Sequence, residues 1–169
     1  MNSGLSENDS LSRWLSWQEG AHSKAWDLGL QRVGEVWQRM GAPKLAEHVV
    51  VVAGTNGKGS CVRWLEALCM AHGVSVASFT SPHLIDYRER IRFDAQWVAE
   101  KRLVSAFAQI DQARGEISLS YFEWAALAAF YLMAQDFPQV AVLEVGLGGR
   151  LDAVNLIDAE AAIFYHHWA

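Results

Sequence analysis

Short apolar runs alternate with amphipathic segments along this chain. Three runs that are apolar or nearly so, at 48–53, 74–79 and 140–145, have the length and composition of strands buried on both faces of a parallel sheet. A fourth strand is expected at 159–164, and the segment 90–98 is expected to be extended. The alternation of strands with helical segments predicts an α/β domain with three layers and a mostly parallel sheet, of the nucleotide-binding type.

Helices are predicted where amphipathic or strongly apolar segments of helical length lie near the start of the chain and between the strands. Ser10 could cap the first helix, and Gly41 with Pro43 ends the second. The predicted helices span residues 11–19, 28–40, 61–72, 99–114 and 121–135.

Composition narrows the class of protein. The 169 residues are 51% hydrophobic and 20% charged, which is typical of a folded globular protein. No apolar run approaches the roughly 20 residues that span a bilayer, and the polar, acidic start does not resemble a secretory signal. The net charge of −5, without a dense Lys/Arg tract, argues against a nucleic-acid partner. We therefore expect a cytoplasmic protein with small-molecule partners.

The strongest chemical signal is the segment A-G-T-N-G-K-G-S at 53–60, between a predicted strand and a predicted helix. Glycines let the backbone wrap around a polyphosphate, and the helix start adds its positive end. Lys58 is expected to pair with the β- and γ-phosphates, and Ser60 to bind phosphate or Mg²⁺. Gly59 separates these two residues, unlike the common G-x-x-x-x-G-K-[ST] pattern. An unliganded turn is the alternative, but the strand–loop–helix context favours phosphate binding.

A second segment, T-S-P-H-L at 80–84, follows the second predicted strand, where such sheets present loops to their ligands. Arg88, Glu89 and Arg90 lie just beyond it. By itself this segment is weak, because Ser-Pro is a common turn, a lone loop histidine is usually solvated, and such charges usually form a surface cluster.

The third segment, L-E-V-G-L-G-G-R-L-D at 143–152, places Glu144 at the end of an otherwise apolar strand. A buried carboxylate is costly unless it is paired or binds a metal. In a phosphoryl-transfer enzyme this position suits a Mg²⁺ ligand. The alternative is a salt bridge, for example to Arg150.

Together, G-T-N-G-K-G-S, S-P-H-L with Y-R-E-R-I, and E-V-G-L-G-G-R-L-D-A resemble the folylpolyglutamate synthase branch of the Mur ligase superfamily. The resemblance continues in H-S-K at 22–24, D-L-G-L at 27–30 and S-Y-F-E at 120–123, and covers residues 10–163 approximately. It implies a P-loop fold of the Mur ligase central-domain type.

The resemblance also implies a reaction and a set of site residues. The implied enzyme is an ATP-dependent ligase that adds L-glutamate to dihydropteroate and to folates through an acyl phosphate. Mg²⁺ ligands fall on Ser81 and Glu144, which with Lys58 carry the catalysis. The ATP-binding positions are Thr55, Asn56, Gly57, Lys58, Gly59 and Ser60. The implied pterin-binding positions are Gly20, Ala21, His22, Ser120, Tyr121, Phe122, Glu123, Leu151, Asp152 and Ala153.

The chain departs from the family pattern in two places. Val154 stands where the family commonly has Thr, and F-Y-H-H-W-A at 164–169 replaces the family's T-x-I-x-x-D-H segment, whose histidine completes the metal site. We therefore expect amino-terminal helices at 1–45 packed on a partial, truncated ATP-binding domain at 46–169, with the carboxy-terminal glutamate-ligase domain absent. A shifted reading frame is one explanation, because synonymous codons for Y-H-H-W-A can encode T-T-I-G-L one base later.

Two functions stay open from the sequence. The chain is either the front part of a ligase, inactive by itself and monomeric at full length, or a nucleotide-binding remnant without ligase activity. An unrelated P-loop kinase or GTPase is a weaker third reading, since no convincing D-x-x-G or N-K-x-D guanine signature is present.

Overall fold

The computed structural model describes residues 3–21 and 29–165. Within them, six strands form one sheet in the order β4-β3-β2-β5-β1-β6. Parallel pairs join β1 to β5, β1 to β6 and β2 to β5, whereas β3 and β4 add an antiparallel edge. The strands are β1 (His48–Gly54), β2 (Val76–Phe79), β3 (Ile91–Phe93), β4 (Gln96–Trp97), β5 (Val140–Glu144) and β6 (Ala161–Tyr165).

Five α-helices of the described residues cover the two faces of this sheet. One helix, α3, packs on β1, β2 and β5 from one side. On the other side α5 lies against β2, and α1, α2 and α4 pack around α5. The helices are α1 (Leu11–Ala21), α2 (Gln31–Arg39), α3 (Lys58–Ala71), α4 (Glu100–Arg114) and α5 (Tyr121–Asp136). The predicted three-layer α/β fold with a mostly parallel sheet is confirmed.

The two faces carry cores of unequal size. The α5 face holds the larger core, in which Trp124, Leu127 and Phe130 are fully buried. Almost every side of α5 is apolar, which is the pattern of a helix enclosed by neighbours rather than one with a solvated face. The α3 face holds a small cluster around Val62 and Val142. The large core therefore fixes the position of α5, whose first turn borders the candidate site.

The boundaries differ from the sequence-based prediction in two informative places. The helix α3 begins at Lys58, three residues before the predicted start, because Gly57 adopts a left-handed conformation and its carbonyl accepts the Cys61 N–H at 2.9 Å. The segment 90–98, predicted to be extended, contains the strands β3 and β4, but a turn between them makes it a hairpin rather than one extended segment. Asp94 and Ala95 reverse the chain there with positive φ angles of 44° and 61°.

Two further segments refine the predicted pattern. The glycine-rich loop after β5 contains two 3₁₀ turns, Gly149–Leu151 and Ala153–Leu156. The second helix begins at Gln31 rather than near residue 28, which itself lies outside the described residues. None of the described helices is both long enough and apolar enough to cross a membrane.

Candidate active site at the carboxyl edge of the sheet

The three sequence motifs meet at one edge of the sheet. Because β1, β2 and β5 are parallel neighbours, their carboxyl ends lie side by side. The phosphate loop, formed by residues 55–57 and the first turn of α3, follows β1. The S-P-H-L segment follows β2, and the G-L-G-G segment follows β5. Ligands of open α/β sheets bind at this edge, so the topology alone brings the motifs together.

The phosphate loop presents backbone and one cation to solvent. Thr55, Asn56 and Gly57 are exposed, and the loop turns into the first residues of α3. The Nζ atom of Lys58 donates to the Gly54 carbonyl at 3.0 Å, and no carboxylate among the described residues pairs with it. A lysine held only by a backbone carbonyl next to a helix start is well placed to bind an anion.

Glu144 ends β5 beside this loop with only 4% of its surface exposed. Its Oε2 accepts the Ser81 N–H at 3.2 Å, which joins the second and third motifs directly. Burial raises the pKa of Glu144, and the Ser81 N–H together with the charges of Lys58 and Arg63 opposes that rise. No ion pair connects Glu144 to Arg150 in the described part of the chain, and Arg150 is exposed, so the salt-bridge alternative finds no support.

Glu144 and Ser81 fit part of a divalent-metal site. Carboxylate and hydroxyl oxygens are ligands that Mg²⁺ prefers, and Mg²⁺ usually takes only one or two carboxylates beside water and phosphate oxygens. A Cβ built on Gly59 would lie 3.8 Å from Glu144 Oε2, so the first turn of α3 reaches the carboxylate closely. Among the described residues no group of three or more His, Cys, Asp or Glu could hold a metal.

A cavity of about 280 Å³ adjoins this pair. Ser81 belongs to its wall, so the cavity and the candidate metal position share a residue. The start of α5 and the loop after β5 supply most of the remaining wall, with Arg90 and Gly29 beside them. Seven of the predicted pterin-binding residues line it: Ser120, Tyr121, Phe122, Glu123, Leu151, Asp152 and Ala153.

The polar side chains at the start of α5 are already satisfied within the protein. Ser120 caps the helix by accepting the Glu123 N–H at 3.3 Å, and Glu123 accepts the Ser120 N–H at 2.7 Å. Arg32 of α2 then pairs with the other Glu123 oxygen at 3.1 Å. These contacts fix the first turn of α5, and with it the Tyr121 and Phe122 rings that border the cavity.

Asp152 holds the loop after β5 in a closed shape. Its two oxygens accept the Leu147 N–H at 2.8 Å and the Val154 N–H at 2.9 Å. Burial raises the pKa of Asp152, and these backbone hydrogen bonds oppose the rise. Gly146 lies so close to the Phe122 ring that a Cβ there would be 2.6 Å from Cε2. Only glycine permits this approach of the loop to α5.

Arg90 is a buried cation in the cavity wall, with 7% of its surface exposed. Its Nε donates to His83 Nδ1 at 2.9 Å, and its guanidinium lies 5.1 Å from the Tyr87 ring centroid and 5.5 Å from that of Tyr121. Burial and the Arg90 charge lower the pKa of His83, which favours the neutral ring that can accept this bond. No carboxylate among the described residues pairs with Arg90, so its charge is open to an anionic ligand.

Comparison with known proteins gives the family. The dihydrofolate synthase/folylpolyglutamate synthase of Escherichia coli is 50% identical over 153 residues, covering 90% of this chain and 36% of that protein. The Haemophilus influenzae protein of the same name is 41% identical over 162 residues, covering 96% of this chain and 37% of its own length. No protein-family model matches the sequence.

Solved structures agree with these relatives. Escherichia coli FolC in complex with DHPP and ADP superposes with a TM-score of 0.92 at 48% identity, over 95% of this chain and 39% of that one. A bifunctional folylpolyglutamate synthase/dihydrofolate synthase with Mn, AMPPNP and L-glutamate bound has a TM-score of 0.90 at 44% identity, with the same coverage of 95% and 39%.

The chain belongs to the dihydrofolate synthase/folylpolyglutamate synthase family. It spans less than two-fifths of the length of the family members that it matches.

Within this family framework, the sequence missed part of the site. The sequence pattern is typical of a surface charge at Arg90, yet this residue is buried in the cavity wall. The available signal was the aromatic residue Tyr87 in the same turn as Arg90. Gly146 also lines the cavity. Gly146 could have been found from the G-x-G-G run, since a glycine that begins no turn often marks close backbone approach.

Two of the predicted pterin-binding residues lie apart from the others. Gly20 and Ala21 are at the end of α1 and line a separate cavity of about 430 Å³ with Trp17, Arg114 and Trp124. The structure therefore does not bring them to the wall that holds Ser81. His22, the third residue of that predicted group, lies outside the described residues.

Proposed function

We propose that this chain carries the nucleotide- and pterin-binding part of an ATP-dependent ligase that adds L-glutamate to dihydropteroate and to folates. One observation carries the proposal: the phosphate loop, the Ser81–Glu144 pair and the apolar cavity lie at the same edge of the sheet, and Ser81 belongs to both the pair and the cavity wall. The complexes of related structures with DHPP, ADP, AMPPNP, Mn and L-glutamate support the assignment of ligands.

The proposed chemistry activates a carboxylate that would otherwise be a poor electrophile. A carboxylate oxygen attacks the γ-phosphorus of ATP, the bond to the bridging oxygen breaks, and ADP leaves. The amine of L-glutamate then attacks the acyl carbon, loses a proton, and phosphate leaves as the amide forms. Such a reaction needs positioning and neutralisation of charge rather than a nucleophilic side chain.

Each part of the edge has a proposed role. The residues from Thr55 to Ser60 bind the polyphosphate, with Lys58 supplying charge to its β and γ groups. Ser81 and Glu144 hold Mg²⁺, which would neutralise phosphate charge when bound. The Tyr121 and Phe122 side of the cavity receives the pterin, and Arg90 offers its positive charge to the substrate carboxylate.

The organisation of the protein is part of the proposal. We assign residues 1–45 to amino-terminal helices that pack on an ATP-binding domain at 46–169, a division supported by the packing of α1 and α2 on α4 and α5. The glutamate-binding contacts are assigned to the length that the relatives have beyond this match. We further propose a cytoplasmic location and a monomeric enzyme.

Calorimetric titration of this chain tests the binding half of the proposal. ADP with Mg²⁺ and dihydropteroate, titrated separately, should both bind. Glu144→Gln should weaken the Mg²⁺-dependent part of ADP binding by about tenfold, because it removes a charged metal ligand. Glu47→Gln, at an exposed glutamate before β1, is the matched control and should bind as the wild type does. Absence of ADP binding by the wild type would overturn the assignment.

A nucleotide-binding protein without ligase activity is the second candidate. The observation that favours it is that the phosphate loop and the Ser81–Glu144 pair, on which nucleotide binding depends, both lie within the described residues. Release of ADP from ATP in the presence of dihydropteroate and L-glutamate separates the two candidates. Release that depends on glutamate supports the ligase, whereas tight ADP binding without any turnover supports the nucleotide-binding protein.

A further inference from the structure

A buried carboxylate lies on α3 behind the phosphate loop. Glu66 has 2% of its surface exposed, and its Oε1 accepts a hydrogen bond from Ser78 Oγ at 2.6 Å. Arg63 donates to Oε2 at 2.9 Å, and Arg92 Nε lies 3.4 Å from Oε1. A buried charge with fewer partners would be strongly destabilising, so this network ties α3 to β2 and β3.

The network carries more positive than negative charge. One carboxylate, that of Glu66, faces the guanidinium groups of Arg63 and Arg92, which leaves one positive charge in excess. Arg92 uses its other end within the hairpin, where Nη2 donates to the Ala95 carbonyl at 2.6 Å. The excess charge is therefore available at the end of the network that Arg63 occupies.

The guanidinium of Arg63, which carries this charge, lies close to the candidate active site. Its Nη2 lies 3.4 Å from Thr80 Oγ1, immediately before Ser81 in the chain. Its charge also acts on Glu144, whose carboxylate lies at the proposed metal position. The Arg63 side chain keeps 36% of its surface exposed, so the guanidinium is open to solvent while Glu66 holds one of its nitrogens.

We propose that Arg63 is a second cation of the nucleotide site, held by Glu66 so that it binds the terminal phosphate of ATP. The inference rests on the proposed function and adds a residue to it. Lys58 at the loop and a metal at Glu144 would both act on the β- and γ-phosphates. A guanidinium beside Thr80 and Glu144 lies on the same side, and its fork of donors suits phosphate oxygens.

The test compares ATP with ADP in variants of the two arginines. Dissociation constants for Mg²⁺ with the non-hydrolysed analogue AMPPNP and with ADP are measured for the wild type, Arg63→Met and Arg92→Met. Both substitutions remove one cationic partner of Glu66, so both should lower stability. Only Arg63→Met should weaken AMPPNP more than ADP, by about tenfold in the ratio of the two constants.

The outcomes separate the inference from the proposed function. Wild-type protein that binds neither nucleotide overturns both. Wild-type binding with an unchanged ratio in Arg63→Met, or with equal change in Arg92→Met, overturns the inference alone and leaves Arg63 as a purely structural partner of Glu66. Arg63→Lys supplies the conservative variant, and it should recover part of the AMPPNP preference because it restores the charge without the fork.

Discussion

The phosphate loop and the cavity beside it differ in whether their charged side chains already have partners within the protein. At the loop, charged groups await a partner: Lys58 reaches only a backbone carbonyl, and Glu144 accepts one backbone N–H. In the cavity wall the carboxylates are already occupied, because Glu123 and Asp152 accept hydrogen bonds from neighbouring backbone and, for Glu123, from Arg32. Ligand charge completes the first region, whereas the protein itself fixes the shape of the second.

Because of this difference, substitutions at the loop should change the free energy of ligand binding, whereas substitutions in the cavity wall should change the free energy of unfolding. A substitution at the loop removes contacts that form only with the ligand, so the fold should barely change. A substitution in the cavity wall breaks contacts within the protein, so stability should fall before any ligand is added. Arg90 is the exception in the wall, since its buried charge has no carboxylate partner among the described residues.

Lys58→Met should give the largest effect and leave stability nearly unchanged. Loss of a charged contact to phosphate should weaken ADP binding by about a hundredfold. Calorimetric titration measures the binding, and urea unfolding measures stability. Lys44→Met is the matched control, because Lys44 also donates only to a backbone carbonyl, that of Glu47 at 2.9 Å. A large fall in stability for Lys58→Met would break the contrast between the two regions.

Gly146→Ala should act in the opposite way, on stability first. Its Cβ would lie 2.6 Å from the Phe122 ring and 3.2 Å from Asp152 Oδ2, so the loop or the ring must move. The expected loss is about 2 to 3 kcal/mol of unfolding free energy. Urea unfolding measures it, with Gly20→Ala as control, since nothing lies within 4 Å of a Cβ there. Unchanged stability in Gly146→Ala would show that the wall is not rigid.

The contrast also explains which parts the sequence could predict. Apolar runs marked the buried strands and α5, and the motifs marked Lys58, Ser81 and Glu144, because these features are local in the chain. The sheet order then brought the motifs together at one edge. Local signals were enough to predict the position of these motifs, because the loops that follow parallel strands lie at the same edge of the sheet.

Long-range contacts between side chains were not predictable in the same way. The pairing of Arg32 with Glu123 joins residues 91 positions apart, and the hydrogen bond from Ser78 to Glu66 crosses from β2 to α3. No spacing rule relates such residues, since only the tertiary fold brings them within reach. For the same reason the sequence could not show that Gly20 and Ala21 line a different cavity from the other predicted pterin-binding residues.

Asp152→Asn should cost about 1 to 2 kcal/mol and make stability less dependent on pH. The amide retains one acceptor for the two backbone N–H groups that Asp152 binds. Burial raises the pKa of the folded carboxyl above 3.8, so folded protein binds this proton more tightly than unfolded protein does. The Asp152 contribution to wild-type stability therefore falls as pH rises from 3.8 through the folded pKa. The difference in unfolding free energy between the wild type and Asp152→Asn should shrink from pH 4 to pH 7.

Urea unfolding at pH 4, 5.5 and 7 measures this trend. The exposed Asp158 supplies the control, and Asp158→Asn should change stability by less than about 0.5 kcal/mol. A difference between the wild type and Asp152→Asn that grows with pH would mean that the fold favours the charged carboxylate. The backbone hydrogen bonds would then outweigh the effect of burial on the pKa of Asp152.

Ser120→Ala should give the smallest effect, and it tests whether the wall holds its shape through single contacts. The substitution removes the cap on α5, so unfolding free energy should fall by about 1 kcal/mol. Ser120→Asp should retain most of the stability, because its carboxylate can accept the same Glu123 N–H. Dihydropteroate affinity, measured on folded protein, should change little in either variant if Glu123 and Arg32 still fix the first turn. A large loss of affinity would instead assign the Ser120 hydroxyl to the ligand.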